Sequence, residues 1–107
     1  MNEIMNETEN DVLCGRGGAT LRHPGNKRYR DLIDSNKETY RISTKEEKTS
    51  ISRSIVATIR NQQGRFLVER NKLWYDIGDA KATEKTSQAL REKQPELRQR
   101  MIDINDD

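Results

Sequence analysis

The spacing of the apolar residues along the chain predicts three helices. Helix one is expected from about residue 26 to 42, with Asn26 as its N-cap and an apolar stripe of Tyr29, Leu32, Ile33 and Tyr40. Helix two has Ser43 or Thr44 as its N-cap, Gly64 as a candidate left-handed terminator, and a stripe of Ile51, Ile55, Val56 and Ile59. Helix three follows a cap at Asp79 and buries Ala82, Thr86, Ala89 and Leu90.

Elsewhere the pattern alternates with a period of two, which predicts strands. Residues 65–69 and 73–77 are rich in aromatic and branched side chains and flank the polar run Arg70-Asn71-Lys72, so they indicate a β-hairpin with a basic tip. Val12 and Leu13 predict a short strand before a glycine-rich loop, which Pro24-Gly25 closes with a turn.

Together these elements predict an α+β fold. It consists of three helices, a β-hairpin between helices two and three, and a short N-terminal strand available to pair with the hairpin. The parts are winged-helix-like, although the wing usually comes last. We expect residues 1–10 to be a disordered acidic tail, residues 11–94 a single compact basic domain, and residues 95–107 a short frayed helix and an acidic tail.

The charged residues are distributed unevenly along the chain. The net charge is +2, but four of the eighteen acidic residues precede residue 12 and three follow residue 101. Eleven acids then face all twenty bases in residues 12–101, a net charge of +9. A basic body of this size attracts polyanions, most often nucleic acid. The alternative is an ordinary solvated surface with an excess of lysine and arginine.

The sequence holds little material for catalysis. His23 is the only histidine, so we predict no catalytic residue, no metal site and no cofactor. Cys14 is the only cysteine, which excludes an intrachain disulfide and favours a reducing, intracellular compartment. A thiol nucleophile at Cys14 is the weaker alternative to a small apolar residue at a strand end. No apolar run approaches the roughly 20 residues that cross a bilayer, and we expect no signal peptide and no membrane association.

The glycine-rich loop and the start of helix one form the first candidate binding region. Glycines let the backbone approach a ligand closely, and a helix N-terminus favours anions. The spacing matches neither a Walker motif nor a dinucleotide fingerprint, so a purely structural turn is the alternative. We expect phosphate contacts from this region through Arg16, Gly17, Gly18, Arg22, His23, Asn26, Lys27, Arg28 and Arg30.

Further basic residues lie on the helices and the hairpin. On helix one the spacing places Lys27 with Arg30, and Lys37 with Arg41, on faces away from the apolar stripe. The hairpin tip, with Arg65, Arg70 and Lys72, is a candidate wing against a phosphate backbone. Helix three is the candidate for reading base edges, although an exposed polar helix has a similar pattern. Its predicted contacts are Lys81, Lys85, Ser87, Gln88 and Arg91.

Several separate motifs, in order, resemble an uncharacterised domain that is abundant in diatom proteins. They are DVLCGRGG at residues 11–18, HPGN at 23–26, GRFL at 64–67, Trp74, Asp76, Gly78-Asp79 and KTSQALRE at 85–92. The resemblance covers about residues 11 to 93. It implies no activity, because the family is one of unknown function. It does imply that the loop, the turn before helix one and the Lys85–Glu92 segment belong to one module.

We therefore expect a non-enzymatic module that binds nucleic acid, with duplex DNA favoured, in a nuclear transcription or chromatin regulator. The alternative is a protein-interaction module whose glycine–arginine loop binds an acidic or phosphorylated peptide. The alternative predicts that the module binds an acidic peptide that a mixed DNA competitor cannot displace.

Overall fold

Helices and strands follow one another along the chain in an α+β fold, as the apolar pattern predicts. The computed structural model describes residues 3–4, 6–15 and 18–92, so the expected tail at residues 95–107 lies outside the described part. In chain order the described elements are β1 (Glu3–Ile4), β2 (Val12–Cys14), α1 (Gly18–Arg22), α2 (Pro24–Ile42), α3 (Lys45–Asn61), β3 (Phe66–Arg70), β4 (Leu73–Asp76) and α4 (Gly78–Arg91).

Four strands form one sheet in the order β1-β4-β3-β2. β3 and β4 are antiparallel, with Arg70 opposite Leu73. Asn71 and Lys72 between them have φ angles of 53° and 68°, the left-handed values that a two-residue type I′ turn requires at both positions.

β2 pairs with β3 in the parallel direction, with Val12 opposite Phe66. Parallel neighbours need a long crossover connection, and here α1, α2 and α3 supply it. At the opposite edge β1 pairs with β4, with Glu3 opposite Tyr75. Part of the segment expected to be a disordered tail therefore belongs to the sheet, and residues 6–11 connect the two outer strands.

The hydrophobic core lies between one face of the sheet and the three long helices. Tyr29 of α2 and Phe66 of β3 meet edge to face, with ring centroids 5.5 Å apart. Ala82 of α4 is fully buried against the same cluster, since a small side chain lets this helix approach closely. The remaining buried apolar members are Val12, Ile33, Tyr40, Ile55, Val56, Ile59 and Leu90.

Of the four described helices, α3 begins as expected and the other three do not. Thr44, one of the two predicted N-caps, caps α3, and the structure adds a capping box with Glu47. The sequence pattern assigned Pro24 to a turn, but α2 begins there. Proline is favoured in a first helical turn because it has no N–H that would need a hydrogen-bond partner. Gly18–Arg22, expected to be loop, forms the additional short helix α1.

The end of α3 corrects the expectation that Gly64 adopts the left-handed conformation. Gln63 takes it instead, with φ 67°. The N–H of Gly64 then donates to the carbonyl of Ile59 at 2.9 Å and that of Gln63 to Arg60 at 3.0 Å, the bond pair of a Schellman motif. Gly64 is required for another reason: a Cβ there would lie 2.4 Å from the carbonyl oxygen of Asn10.

The start of α4 is held by Asp76 rather than by the predicted cap Asp79. The carboxylate of Asp76 accepts the backbone N–H of Gly78 at 2.8 Å. It also takes two hydrogen bonds from the guanidinium of Arg60, at 2.7 and 2.9 Å, which lower the pKa of Asp76. Asp79 instead accepts the Nε–H of Arg60 at 2.9 Å. Arg60 thus ties the end of α3 to the β4–α4 junction.

The most deeply buried charge is the carboxylate of Asp11, whose side chain has 0% exposure. One oxygen accepts the backbone N–H of Arg65 at 2.8 Å and its Nε–H at 3.1 Å. The other accepts the N–H of Thr8 at 2.6 Å and a terminal guanidinium N–H of Arg65 at 2.8 Å. Burial by itself would raise the pKa of Asp11, but these bonds outweigh it and the pKa is lowered. The pair fixes the start of β2 beside the start of β3.

Acid should weaken this contact. Because the pKa of Asp11 is lower in the folded than in the unfolded chain, its contribution is complete above about pH 4 and is lost as the pH falls below that. We expect Asp11→Asn to lower the free energy of unfolding by about 2 to 3 kcal/mol at neutral pH. In urea denaturation from neutral to acid pH, the variant should also lose less stability on acidification than the parent.

The matched control is Asp31→Asn, because Asp31 is exposed on α2. It should keep both the stability and the acid profile of the parent. An Asp11→Asn profile that parallels the parent would mean that another group causes the acid sensitivity.

Gly25 offers a test of close backbone approach. A Cβ at Gly25 would lie 1.9 Å from the carbonyl oxygen of Asp11, whereas one at Gly15 would have no atom nearer than 3.9 Å. Helix propensity alone would make Gly25→Ala stabilising by up to about 1 kcal/mol. We expect the opposite, a loss of about 2 kcal/mol or more, because backbone atoms must move. Gly15→Ala should be nearly neutral in the same denaturation experiment, and a stabilising Gly25→Ala would contradict the packing argument.

Candidate functional site

The glycine–arginine loop leaves the sheet at the end of β2. Gly15 is exposed, and Arg16 and Gly17 lie outside the described residues. Gly18 is the exposed first residue of α1, and Arg22 is its exposed last residue. The guanidinium of Arg22 folds back over the start of α1, 3.3 Å from the position of a Cβ on Gly18. Arg22 is therefore held next to the loop.

The basic residues of α2 do not share one face. Residues two apart on a helix are separated by about 200°, and the structure separates Arg28 from Arg30 accordingly. Arg28 reaches Asn10 at 3.4 Å, on the side of the N-terminal segment. Arg30 donates to the carbonyl of Leu21 in α1 at 2.7 Å and lines a groove of about 290 Å³ between α2 and α4. Arg30 thus joins the loop region, and Arg28 does not. Lys27 is exposed near the start of the helix.

The candidate base-contacting residues of α4 face two different surroundings. Lys81 and Gln88 are exposed on the side away from the core, and Lys85 is half-buried beside them. Ser87 faces α3 instead, where its hydroxyl lies 2.6 Å from that of Ser52. Ser87 therefore packs between helices and is removed from the set of base-contacting candidates.

Lys85 connects α4 to the loop. Burial raises the pKa of the Cys14 thiol, and the positive charge of Lys85 is close enough to offset part of that rise. Cys14 is the last residue of β2 and immediately precedes Gly15. The charge of Lys85 therefore acts at the point where the loop begins. A half-buried thiol with a raised pKa is also a poor nucleophile.

His23 and Asn26, two predicted phosphate contacts, are engaged in the fold. The Nε2 atom of His23 lies 2.9 Å from the carbonyl oxygen of Thr8. Asn26 is buried inside α2 and is not its N-cap. Its side-chain oxygen accepts the N–H of Leu13 at 2.8 Å, and its amide donates to the carbonyl of Leu13 at 2.9 Å. Because these Leu13 groups point away from β3, Asn26 completes the hydrogen bonding of an edge strand.

Two other arginines are neutralised by carboxylates. Arg65, assigned from the sequence to the basic hairpin tip, lies at the opposite end of the hairpin and pairs with Asp11. Arg60 pairs with Asp76 and Asp79. Only Arg70 and Lys72 remain exposed at the tip. Sequence spacing could not reveal these pairs, because their partners are distant along the chain.

A cavity of about 620 Å³, which the sequence pattern does not predict, lies at the far end of α4. Arg91, predicted to contact nucleic acid, lies in its wall, so it is separated from Lys81 by about 15 Å along the helix axis. Lys37, expected on the exposed face of helix one, is buried in the same wall. The only sequence signal was the four-residue spacing of Lys37 and Arg41.

Other chemistries find no assembled site in the described part of the chain. No group of three or more potential metal ligands occurs there. None of the described helices is both long and apolar enough to cross a membrane. The buried hydroxyl of Tyr29 is hydrogen-bonded to Thr86 at 2.9 Å, and burial raises the pKa of Tyr29 to about 12.

Residues 11–92 match a domain of unknown function, DUF6824. The chain belongs to this family. No curated protein and no solved structure matches it. Several of the DUF6824 residues that carry the resemblance have structural roles: Asp11 with Arg65, Asp76 with Gly78, and Asn26 and Gly25 around β2. The side chains of Lys85 and Gln88 in this domain have no hydrogen bond or ion pair with any other residue in the described ranges, which leaves them available to a ligand.

The role of Asn26 can be tested directly. Asn26→Ala leaves the N–H and carbonyl of Leu13 without their partner, and we expect the free energy of unfolding to fall by about 2 kcal/mol. The control is Asn36→Ala, because Asn36 bonds only the carbonyl of Leu32 in its own helix. It should change stability by less than about 0.5 kcal/mol. Equal effects in urea denaturation would show that the Leu13 contact contributes little.

Proposed function

We propose that this DUF6824 chain is a non-enzymatic nucleic-acid-binding module that favours duplex DNA, acting in a nuclear regulatory protein. The observation that carries the proposal is a pair of contacts from neighbouring residues of α2. Tyr29 is hydrogen-bonded to Thr86 of α4 at 2.9 Å, and Arg30 donates to the carbonyl of Leu21 in α1 at 2.7 Å, which supports a shared surface for the loop region and α4. The charge of Lys85 also acts on the Cys14 thiol at the start of the loop. We call the residues Arg22, Arg30, Lys81, Lys85 and Gln88 the loop–α4 surface.

The chemistry of the loop–α4 surface suits a phosphate backbone and exposed base edges. Arg22, Lys81 and Lys85 have no ion pair with any residue of the described part, so their charges are not neutralised within the fold. Phosphate contacts supply most of the affinity of such modules, and glutamine supplies paired donor and acceptor groups for adenine. Lys27 and the loop residues Arg16 and Gly17 belong to the proposal as flanking contacts.

The arrangement of elements is consistent with this function. In this proposal the three long helices and the β3–β4 hairpin between α3 and α4 act as a winged-helix-like set of parts. We propose α4 as the helix that approaches the duplex, with Arg70 and Lys72 at the hairpin tip as a second phosphate contact. The order differs from the usual winged helix, so the proposal rests on the charged surface rather than on fold analogy.

The decisive variant is Lys81→Gln combined with Lys85→Gln. We expect binding to a fluorescein-labelled random-sequence duplex, followed by anisotropy at low salt, to weaken about tenfold or more. Between about 50 and 200 mM salt, the slope of log affinity against log salt should become shallower by roughly 1.8, because two phosphate contacts are lost.

The control removes the same charge elsewhere, through Lys45→Gln with Arg53→Gln on α3. Both residues are exposed, and Arg53 lies on the opposite side of α4 from Lys85, near Asp79. This control variant should lose much less affinity for the duplex than the double variant of Lys81 and Lys85. Glu84→Gln, which removes a negative charge beside Lys81 and Lys85, should strengthen binding. Equal losses in the two double variants, or no shift of any nucleic acid at micromolar protein and low salt, would refute the proposal.

A further inference from the structure

A second basic site lies where three helix ends meet, and its lining contains no residue of the loop–α4 surface. The last turns of α2 and α4 and the first turn of α3 line the cavity of about 620 Å³. Four cationic side chains line it, and two buried apolar residues form its floor: Lys37, Arg41, Lys48 and Arg91, with Tyr40 and Leu90. We call it the helix-end cavity.

The walls of the helix-end cavity are held by packing. Lys37 is only 8% exposed and Tyr40 only 4%. The ammonium group of Lys48 lies over the Tyr40 ring, 5.3 Å from its centroid. Side chains that are restrained in this way lose little conformational freedom when a ligand binds.

The charge of the cavity remains positive after its internal pairs are counted. Glu38 is paired with Arg41, and Asp34 lies 3.9 Å from Lys37. Lys48 and Arg91 have no carboxylate within 4.0 Å among the residues that the structure describes. Glu92 is the remaining acidic group in the wall. An anion that enters the cavity therefore meets Lys48 and Arg91, which have no carboxylate partner in the described part of the chain. It also meets Lys37 and Arg41, which are already ion-paired.

The size and chemistry of the cavity select a class of ligand. Cavities of about 300 to 1,000 Å³ are typical of small-molecule sites. Guanidinium groups bind phosphate oxygens through two parallel hydrogen bonds, and lysines add point charges. Little of Tyr40 and Leu90 is exposed, so the apolar lining consists of their edges together with the hydrocarbon stems of the lysine and arginine side chains. Inorganic phosphate cannot use this apolar surface. We propose that the helix-end cavity binds a phosphate monoester carried on an apolar or aromatic body.

This site is independent of the proposed nucleic-acid function. The cavity shares Lys37 and Glu92 with the groove that Arg30 lines, but none of the five residues of the loop–α4 surface lines the cavity itself. Either function can fail without affecting the other, since they use different side chains.

The first experiment is an NMR titration of the ¹⁵N-labelled full chain with phenyl phosphate and, separately, with inorganic phosphate. We expect saturable shifts at the backbone amides of Tyr40, Arg41, Lys48 and Arg91. Phenyl phosphate should bind at least about tenfold more tightly than inorganic phosphate, because only the ester covers the apolar floor. Equal affinities would overturn the apolar-body part of the proposal, and shifts spread evenly over all exposed basic residues would overturn the site.

The second experiment compares two single-charge variants. Arg91 is exposed at the end of α4, so Arg91→Gln should fold normally and weaken phenyl phosphate binding about tenfold. Arg70→Gln removes the same charge at the hairpin tip and should leave binding unchanged, as should Lys85→Gln. Identical affinities in Arg91→Gln and Arg70→Gln would overturn the proposal.

A third arm identifies the source of the phosphate monoester. A short neutral peptide with one phosphotyrosine carries the same chemistry on a protein partner. Tighter binding of this peptide than of phenyl phosphate, at the same amides, would assign the ligand to a phosphorylated protein. Tighter binding of phenyl phosphate would assign it to a small molecule, and no saturable binding of either would refute the site.

Discussion

The buried ion pair between Asp11 and Arg65 determines where the rest of the molecule can lie. A fully buried carboxylate is tolerated only when its oxygens are satisfied, and here they accept four hydrogen bonds from Arg65 and Thr8. The pair sets β2 beside β3 in the parallel direction. It thereby fixes Cys14, and with it the start of the glycine–arginine loop, close to Lys85 of α4. The loop–α4 surface depends on a contact that is not itself part of it.

Close backbone contacts support that ion pair. Gly25 and Gly64 let the Asn10–Asp11 segment pass between the start of α2 and the end of α3, where a Cβ would collide with backbone atoms. Asn26 then satisfies the outer edge of β2 at Leu13. Much of what makes DUF6824 recognisable in this chain is accordingly used to hold one short strand. The residues left for binding are a smaller set than the motifs suggest.

The basic residues separate into those that stabilise the fold and those that remain available. Arg60 and Arg65 are paired with carboxylates, so they stabilise the fold and do not contribute free positive charge to the surface. The available cations lie at two ends of α4, beside the loop and around the helix-end cavity. The two regions adjoin at Lys37 and Glu92, which line both the cavity and the groove beside Arg30. We propose an extended polyanion as the ligand of the first region and a compact phosphate monoester as the ligand of the second.

Local patterns in the sequence determined the α+β class, the three long helices, an N-cap at Ser43 or Thr44 and the buried side of α4 at Ala82 and Thr86. These features depend on residues within a few positions of one another, so periodicity and capping chemistry suffice to predict them. Only the tertiary structure decided the parallel pairing of β2, the burial of Asn26 and Lys37, and the separation of Arg28 from Arg30. Each of these depends on a partner distant along the chain or on the direction of a side chain around its helix, and spacing alone carries no information about which neighbour packs there.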